Sequence, residues 1–550
     1  MVNIRPQSFS STPDSNPEQE HTQTEAAVGS RQWSPFQQAI FDFVEKGKGS
    51  ATVVAVAGSG KTTTIVEAAK RLPQGISASF VAFNKSIADE LKQRLPGHVR
   101  AQTMNSLGFG AWRRHLGGDA TGLRLDANKT RELCRTEIPD QFYGLLSKGM
   151  PRLIGVAKAC GIVPMDLDGA GEYDGLIPDS DDVWSDIVER YGIDMEADVD
   201  KPSEAELIAR YARKILTQSI AVSRHLIDFD DQLYMPVITG ARFWQNDILF
   251  VDEAQDLNMV QRVIVRRALK GNGRLIAVGD PNQAIYMFRG AGHNSMDELK
   301  EAFNCQELPL TISYRCPKLV VAEAQRFVTH IRSHEQAKDG VVEIRAKYSA
   351  TDFQGTDLVI CRNSKPLIEL AFRLLRDGVP CKVRGRDIGQ GLVALVRRFK
   401  EADLDKFQTK LDEYVSKKTW DWLQKRKEDL AQRLQDQYDT LQVFIEALDP
   451  GSTTDHLVQR IEGMFTDNGV GSCLMLSTIH KSKGTESRRI WILDWDLMPS
   501  RFARTPEAKQ QERNLQYVAL TRSLEELRFI TSKGFVEGKQ KSAGNQLTES

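Results

Sequence analysis

The sequence has few cysteines, and none of them are spaced for a disulfide framework or a zinc site. Its seven cysteines are an odd number, lie far apart and form no C-x-x-C pair. No apolar run approaches the roughly 18 residues that a transmembrane helix needs, and the first residues lack the apolar stretch of a secretory signal. We therefore expect a cytoplasmic protein with no membrane contact.

A strong charge of either sign is also missing. The chain has 73 basic and 74 acidic side chains, for a formal net charge of −1, which excludes a globally basic nucleic-acid coat. Any nucleic-acid binding must therefore come from particular residues. Hydrophobic residues at 41% and charged residues at 27% are ordinary for a globular protein, and a length of 550 residues predicts roughly three to four domains.

Two blocks of the sequence alternate strand-like and helix-like segments, which is the pattern of a parallel sheet covered by helices. We predict an α/β fold with two parallel-sheet cores, each interrupted by one mainly helical insertion. The predicted parts are a disordered tail at 1–32, a first core at 33–118 and 227–317 with its insertion at 119–226, a second core at 318–388 and 471–537 with its insertion at 389–470, and a flexible tail at 538–550.

The first block contains a phosphate-binding pattern. The segment AVAGSGKT at 55–62 follows a strand-like run and opens a helix, and it matches G-x-x-x-x-G-K-[ST] except for Ala55 in place of the first glycine. Glycines let backbone N–H groups curl around anionic oxygens at the positive end of a helix dipole. A glycine-rich turn with an incidental lysine is the alternative. The predicted nucleotide-binding residues here are Gly58, Ser59, Gly60, Lys61, Thr62 and Thr63.

The segment ILFVDEAQD at 248–256 makes that alternative less favourable. A buried strand delivers Asp252 and Glu253 to the carboxyl edge of a parallel sheet, where open α/β folds bind ligands. One carboxylate can hold Mg²⁺ while its neighbour polarises the attacking water, as phosphoryl transfer requires. We predict Thr62 and Asp252 as the metal ligands, Glu253 as the catalytic base, and ATP and Mg²⁺ as the cofactors.

These segments belong to an ordered series of motifs that resembles superfamily 1 DNA helicases of the UvrD/Rep type. Two of the motifs, VAFNKSIADEL and GDPNQAIYMFRGA, resemble those of F-box DNA helicases and phage-encoded relatives at least as closely. The resemblance spans nearly the whole chain. It implies two RecA-like P-loop cores in the arrangement named 1A, 1B, 2A and 2B, with a short 2B. The further motifs are SPFQ at 34–37, FNKSIADEL at 83–91, AQTMNS at 101–106, IDFDD at 227–231, VGDPNQAIYMFRGA at 278–291, LTISYR at 310–315, STIHKSKGTE at 477–486 and NLQYVALTR at 514–522.

The resemblance also implies roles for residues at the nucleotide. Gln37 would read an edge of the adenine, Tyr314 would stack on the base, and Glu486 would contact the sugar. Gln283 would sense the γ-phosphate and couple the ATP site to DNA. The implied arginine fingers, which neutralise charge on the transferring phosphoryl group, are Arg315 and Arg522.

For the DNA strand, the resemblance implies a path of aromatic and basic residues, because every base has a π-face and every phosphate a charge. Asn105 stands where the family usually has His, and Phe288 stands where Trp is common, so we expect a looser strand path. The implied DNA-binding residues are Phe83, Asn84, Lys85, Asn105, Tyr286, Phe288, Arg289, His480 and Lys483.

The insertion at 389–470 is predicted to be a helical hairpin. Its apolar residues step by three or four between Leu404 and Val415 and again between Leu430 and Leu448. We expect the hairpin to stand off the second core with its own small apolar seam. Packing of the hairpin is the favoured interpretation of its tryptophan pair, Trp420 and Trp422, and contact with duplex DNA is the alternative.

The predicted function is that of an ATP-dependent translocase on single-stranded DNA, and a helicase at duplex junctions, with 3′ to 5′ polarity. We expect it in a bacterial or phage-infected cell, associated with the nucleoid while at work. The alternative is an ATP-dependent nucleoprotein remodeller, or a DNA-binding switch that licenses a partner enzyme without processive unwinding. A protein partner is compatible with both, and the sequence identifies none.

Overall fold

The structure is a computed structural model that describes residues 32–82, 84–164, 175–285, 294–424, 428–449, 451–466 and 473–537. Two large sheets organise the described chain, and all their strand pairs are parallel. This confirms the predicted α/β class with two parallel-sheet cores. The predicted tails lie almost wholly outside the described residues, and the predicted domain boundaries stay predictions.

The first core starts with alternating helices and strands. Helix α1 begins after Ser34, whose side chain accepts a hydrogen bond from the Gln37 backbone N–H while the Gln37 side chain accepts one from the Ser34 N–H, and Pro35 occupies the first helical position. The first elements are α1 (Pro35–Lys46), β1 (Ala51–Ala55), α2 (Lys61–Lys70), β2 (Ala78–Ala82), α3 (Lys85–Arg94), β3 (Val99–Thr103) and α4 (Met104–Leu116).

The first insertion is mainly helical, as predicted, with four short strands. Its elements are β4 (Arg124–Leu125), α5 (Lys129–Glu137), α6 (Asp140–Leu146), α7 (Met150–Cys160), β5 (Ile162–Val163), β6 (Ile177–Pro178), α8 (Asp181–Arg190), α9 (Pro202–Ala221) and β7 (Leu226–Ile227). The chain then returns to the first core through α10 (Asp231–Ile238), β8 (Asn246–Val251), α11 (Met259–Arg267), β9 (Leu269–Gly279), α12 (Ser295–Ala302) and β10 (Gln306–Leu310).

A buried group of four charges joins this insertion to the first core. Lys129 of α5 contacts Asp231 at 2.6 Å, and Lys158 of α7 contacts Asp228 at 2.9 Å and Asp231 at 2.8 Å. Thr130 donates a further hydrogen bond to Asp228. All four charged side chains are almost wholly buried, so each charge depends on its partners for the interactions it loses with water.

The six strands of the first sheet have the order β10-β1-β9-β8-β2-β3. Strands that precede the insertion in the chain are therefore paired directly with strands that follow it. The central strands are apolar on both faces because helices cover both. In a parallel sheet all carboxyl ends lie at one edge. The loops after β1, β8 and β9 therefore meet there, and they carry the phosphate-binding pattern, the paired carboxylates and Gln283.

The second core repeats this plan with seven strands in the order β13-β19-β18-β14-β17-β15-β16. Its first elements are β11 (Ile312–Ser313), α13 (Lys318–Ala324), β12 (Arg332–Ser333), β13 (Val341–Ile344), β14 (Leu358–Cys361), α14 (Ser364–Arg376) and β15 (Cys381–Arg384). The second insertion contributes α15 (Arg386–Arg398), α16 (Leu404–Gln424), α17 (Glu428–Glu446), α18 (Thr454–Met464) and β16 (Phe465–Thr466). The last elements are β17 (Leu474–Thr478), α19 (Ile479–Ser482), β18 (Ser487–Leu493), α20 (Pro506–Leu520) and β19 (Ser523–Ile530).

Helices α16 and α17 form the predicted hairpin, but the expectation that it stands off the second core is wrong. Phe444 of α17 is fully buried, and its ring packs edge-on against Phe372 of α14 at 5.4 Å between centroids. Leu441 belongs to the same apolar cluster as the second sheet. The apolar face of α17 is wide enough to pack on α16 and on α14 together, so the hairpin shares the core of the second sheet.

The two tryptophans of α16 have different surroundings. Trp422 is buried in the apolar cluster of the second core, whereas Trp420 is 65% exposed. The packing interpretation therefore fails for Trp420. Within the described ranges, every helix is too short or too polar to span a lipid bilayer.

The two insertions contact each other. Glu196, which follows α8 of the first insertion, binds Arg398 of α15 at 2.5 Å and Lys418 of α16 at 3.0 Å. Burial alone would raise the pKa of Glu196, but Lys418 and Arg398 together lower it. The two halves of the molecule, each a core with its insertion, thus contact each other both through their cores and through their insertions.

Candidate active site

The phosphate-binding loop follows β1 and opens α2. Gly58 and Gly60 have φ angles of 71° and 76°, a left-handed conformation that favours glycine. A Cβ atom at Gly58 would lie 2.4 Å from the Cβ of Arg315 and 2.8 Å from the hydroxyl of Ser313. Glycine at this position therefore lets the start of the second core approach the loop closely, and the Tyr314 N–H donates to the Gly58 carbonyl at 2.8 Å.

Lys61 and the two predicted carboxylates meet at the start of α2. The Lys61 ammonium lies 3.2 Å from a Glu253 oxygen, and the Thr62 hydroxyl lies 3.2 Å from an Asp252 oxygen. Burial opposes the charge on Lys61, but Glu253, Asp280 and Asp252 outweigh it and raise its pKa. The lysine is therefore a fixed positive charge at the place where phosphates would lie.

The paired carboxylates have opposite pKa shifts. Burial, together with the charge of Glu253, raises the pKa of Asp252 to about 6. Burial would also raise the pKa of Glu253, but Lys61 and Lys483 and a hydrogen bond from Gln255 lower it to about 2. Glu253 is thus ionised at neutral pH, as a general base must be. Its backbone has a φ of 50°, an uncommon conformation for a residue with a side chain, of the kind that collects at functional sites.

Gln283 and Arg522 connect the two cores. The Gln283 side chain donates to Asp280 at 2.7 Å, and its carbonyl oxygen lies 3.4 Å from a guanidinium nitrogen of Arg522. Arg522 is 1% exposed, and burial together with Arg315 lowers its pKa to about 10. Its guanidinium therefore stays charged at neutral pH and faces the loop after β9.

Lys483, predicted to contact DNA, lies at the wall between the two cores. Its ammonium binds Asp256 at 2.7 Å and the Gln283 backbone carbonyl at 2.8 Å. It also adds to the positive potential on Glu253. The structure thus places this lysine beside the predicted catalytic residues, and its role at the strand stays a prediction.

The predicted adenine residues are adjacent. The Tyr314 hydroxyl donates to the Gln37 side-chain oxygen at 3.3 Å, and the Gln37 amide nitrogen donates to Thr64 at 3.0 Å. The Tyr314 ring is 41% exposed and packs obliquely on His334. One face of an oriented aromatic ring is therefore available next to a hydrogen-bonding amide, as recognition of a base requires. Arg315 forms an ion pair with Glu486, the predicted sugar contact.

Most of these groups, but not Gln37, Asp252, Tyr314 or Glu486, line one cavity of about 330 Å³ between the cores. The first core contributes the glycine-rich loop, and the second contributes cationic side chains and Gly484. The lining residues are Gly58, Ser59, Gly60, Lys61, Thr62, Thr63, Asn84, Ile87, Glu253, Asp256, Gln283, Arg315, Lys483, Gly484 and Arg522. Ser59 is buried, and its hydroxyl has no hydrogen-bond partner among the described residues.

A divalent cation fits one part of this cavity. Thr62 and Asp252 present a hydroxyl and a carboxylate oxygen together, and Mg²⁺ prefers one or two such oxygen ligands with substrate phosphates completing its shell. No set of three or more His, Cys, Asp or Glu within the described ranges forms a self-sufficient metal site. The protein would therefore hold Mg²⁺ mainly together with a nucleotide.

Only part of the predicted strand path can be located. Phe83, Tyr286, Phe288 and Arg289 lie outside the described residues. Asn84 caps α3 with its side chain, accepting from Ile87, and Lys85 is exposed at the first position of that helix. These two residues lie at the carboxyl end of β2, on the same edge as the nucleotide cavity.

The other strand candidates are Asn105 and His480. Asn105 donates to the Phe229 backbone carbonyl and to Gln232, both at 3.0 Å. Burial, with the nearby cations of Arg362 and others, lowers the pKa of His480 well below its usual value. His480 is thus neutral at physiological pH, and any contact with a strand would be a hydrogen bond and not a charge.

Sequence reasoning missed Phe229 and Tyr517. Phe229 is 54% exposed, and Asn105 holds its backbone; an aromatic between acidic residues in IDFDD was a signal of an exposed ring. Tyr517 of α20 is fully buried, and its hydroxyl accepts a hydrogen bond from the Ala57 N–H in the phosphate-binding loop at 2.9 Å. That contact joins positions far apart in the chain, and the sequence carried no signal of it.

Comparison with known proteins finds DNA helicases among the proteins that this chain resembles. F-box DNA helicase protein 1 of Schizosaccharomyces pombe is 25% identical over 526 residues, which cover 90% of this chain and 58% of that protein. ATP-dependent DNA helicase Rep of Escherichia coli is 28% identical over 294 residues, covering 49% of this chain and 39% of that protein. A probable DNA helicase II homolog of Mycoplasma genitalium is 34% identical over 91 residues, or 16% of this chain and 13% of that protein.

The chain therefore spans little more than half of the yeast relative and less of the other two. Two protein-family models match it in succession. An AAA domain matches residues 37–289, and a UvrD-like helicase C-terminal domain matches residues 287–534. The two matches meet at residues 287–289, ahead of α12 and β10, the last two elements of the first core. The chain belongs to the UvrD/Rep-like superfamily 1 DNA helicases.

Proposed function

We propose that this protein is an ATP-dependent translocase on single-stranded DNA that unwinds duplex DNA with 3′ to 5′ polarity. The observation that carries the proposal is the cavity between the cores, in which Lys61 and Glu253 of the first core face Arg315, Lys483 and Arg522 of the second. Nucleotide binding or hydrolysis alters the attraction between the two cores that share this site. The relative position of the cores therefore depends on the nucleotide that is bound.

In this proposal the triphosphate lies on the glycine-rich loop. The unpaired Ser59 hydroxyl and the ammonium of Lys61 are placed to meet phosphate oxygens. Thr62 and Asp252 hold Mg²⁺, which supplies charge neutralisation when it is bound. Glu253, which Lys61 and Lys483 keep ionised, accepts a proton from the attacking water.

The second core supplies the charges that respond to hydrolysis. Arg522 and Arg315 stabilise the negative charge on the transferring phosphoryl group. Gln283 contacts Asp280 and Arg522, and the segment after it contains the predicted strand residues. A change at the γ-phosphate is thereby passed through the Gln283 loop to the DNA. Exposed Phe229 near Asn105 adds a stacking surface to that strand path.

The experiment that tests the proposal measures ATP hydrolysis without nucleic acid and with single-stranded DNA, duplex DNA or RNA. Stimulation by single-stranded DNA above the other three is the expected result. Unwinding of duplexes with a 3′ tail, and not of those with a 5′ tail, would establish the polarity. Stimulated hydrolysis without strand displacement on either substrate would instead favour the nucleoprotein remodeller.

A further inference from the structure

A second charged surface lies on the first core, away from the cavity. Arg100 of β3 is exposed, and its guanidinium lies over the ring of Trp244 at 4.9 Å. Trp244 is itself 49% exposed. Arg114 of α4 donates to the backbone carbonyl of Arg242 at 3.5 Å. These four residues, Arg100, Arg114, Arg242 and Trp244, form what we call the arginine–tryptophan surface.

The chain around Trp244 explains why the Arg242 and Trp244 side chains are exposed to solvent. Phe243 is 7% exposed and packs in the apolar cluster of the first core, whereas its neighbours Arg242 and Trp244 are exposed. An exposed tryptophan between an arginine and the start of a strand does not contribute to the core. Large aromatic side chains are enriched where proteins bind partners.

The charge of this surface is not balanced by the protein. Arg100, Arg114 and Arg242 form no ion pair with any described carboxylate. Some other exposed arginines do have such partners, among them Arg135 with Glu132. In a chain with nearly equal numbers of acidic and basic residues, three adjacent arginines without carboxylates mark a site for an external anion.

This surface is remote from the nucleotide. Arg100 and Trp244 lie at the amino ends of β3 and β8, whereas the paired carboxylates follow the carboxyl end of β8. A strand of five residues spans about 16 Å. Helix α4 likewise separates Asn105 at its start from Arg114 near its end. Changes at this surface should therefore leave the catalytic groups in place.

We propose that the arginine–tryptophan surface is a second binding site for single-stranded nucleic acid, separate from the strand path at the motor cleft. Guanidinium groups bind phosphate oxygens in a bidentate manner, and an exposed indole stacks on a base of any identity. An acidic peptide would use the arginines but has no base for Trp244, so the pairing of the two favours a nucleic-acid strand. The inference goes beyond the proposed motor function, because the surface contains no residue assigned to that function.

The test uses the full chain without ATP and two labelled oligodeoxythymidines. One has about 10 nucleotides, the size of a single binding channel, and the other about 60, long enough to occupy both sites. Affinity is measured by fluorescence anisotropy over a range of salt concentrations. The variants are a triple change, Arg100→Gln with Arg114→Gln and Arg242→Gln, and separately Trp244→Ala.

We expect the triple variant to bind the long oligonucleotide roughly tenfold more weakly or worse. The slope of its log affinity against log salt should become shallower by about 2, because each neutralised phosphate of a single strand contributes about 0.7. Trp244→Ala should weaken binding of the long oligonucleotide by roughly 5- to 100-fold, the loss of one stacked base. Binding of the short oligonucleotide should be unchanged in both variants.

The matched control removes three charges from exposed arginines that have carboxylate partners, by Arg135→Gln, Arg326→Gln and Arg376→Gln. It should retain the wild-type slope. An unchanged slope and affinity in the triple variant would overturn the proposal. Binding of polyglutamate that is lost in the triple variant, while binding of the long oligonucleotide is retained, would also overturn it and assign the surface to an acidic peptide. Stimulation of ATP hydrolysis by the short oligonucleotide tests the motor function separately. The proposed second site can therefore fail without the motor function failing, and the reverse.

Discussion

The Tyr517 hydroxyl accepts a hydrogen bond from the Ala57 N–H at 2.9 Å, across the boundary between the two cores. Ala57 lies in the loop that would hold the phosphates, and Tyr517 lies on the helix that ends just before Arg522. The position of the loop and the position of the arginine finger are thus tied through one buried hydrogen bond.

Tyr517→Phe should slow ATP hydrolysis by roughly 5- to 100-fold, because an unpaired buried N–H costs about 1–3 kcal/mol and that cost falls on the closed arrangement of the cores. Steady-state kinetics over a range of ATP concentrations provide the measurement. The control is Tyr348→Phe, which also removes a tyrosine hydroxyl bonded to the backbone, but one that donates to the Thr531 carbonyl within the second core alone. Equal kinetic effects in both variants would show that Tyr517 has no special link to the cleft.

Glu253→Gln should retain ATP binding while hydrolysis falls by roughly 10²- to 10⁴-fold, the usual effect of losing a positioned base. Lys61→Ala should weaken binding itself, because its ammonium faces the ground-state phosphates. Binding of a fluorescent nucleotide and steady-state hydrolysis, measured on the same preparations, separate the two effects. Near wild-type hydrolysis by the Gln variant would assign the base to another residue.

Arg522→Ala and Phe229→Ala should have converse effects. The arginine addresses the phosphoryl group, so its loss should abolish hydrolysis and leave binding of single-stranded DNA largely intact. Loss of the exposed Phe229 ring should weaken that binding by about 1–3 kcal/mol and leave DNA-free hydrolysis unchanged. Anisotropy and ATPase assays on both variants decide the matter, and loss of both activities in either one would contradict the assignment.

Asp228→Asn should reduce the unfolding free energy by roughly 2–3 kcal/mol at neutral pH. Burial would raise the pKa of Asp228, but Lys158 and hydrogen bonds lower it to about 2, below its value in the unfolded chain. The stabilisation is therefore present above about pH 4 and is lost as the pH falls towards 2. Denaturant unfolding of both proteins between pH 7 and 3 should show a converging difference. Asp89→Asn at an exposed ion pair should change little.

Phe444→Ala should lower the unfolding free energy by about 3–5 kcal/mol, because it opens a cavity between α17 and α14. Trp420→Ala on the same hairpin removes an exposed ring and should have little effect on stability. Chemical denaturation provides both numbers. A mild effect of the Phe444 change would restore the interpretation of the hairpin as a body separate from the second core.

The sequence predicted those features that depend on nearby residues. Lys61 and Thr62 follow a strand within one motif, and Asp252 and Glu253 end another strand, so local pattern and the geometry of parallel sheets were enough. The hydrogen bond between Tyr517 and Ala57 joins residues far apart in sequence, and no periodicity reports such a contact. The burial of Phe444 was missed because an apolar stripe does not identify the surface that covers it.

The four buried charges at the base of the first insertion also determine which parts of the molecule can move. Tilting the insertion against its core would separate both Lys129 and Lys158 from Asp231. A buried charge left without any partner costs about 3–5 kcal/mol. The first core and its insertion should therefore move as one rigid body that rotates about the nucleotide cleft. A small closure of that cleft would then become a larger displacement at the far end of the insertion.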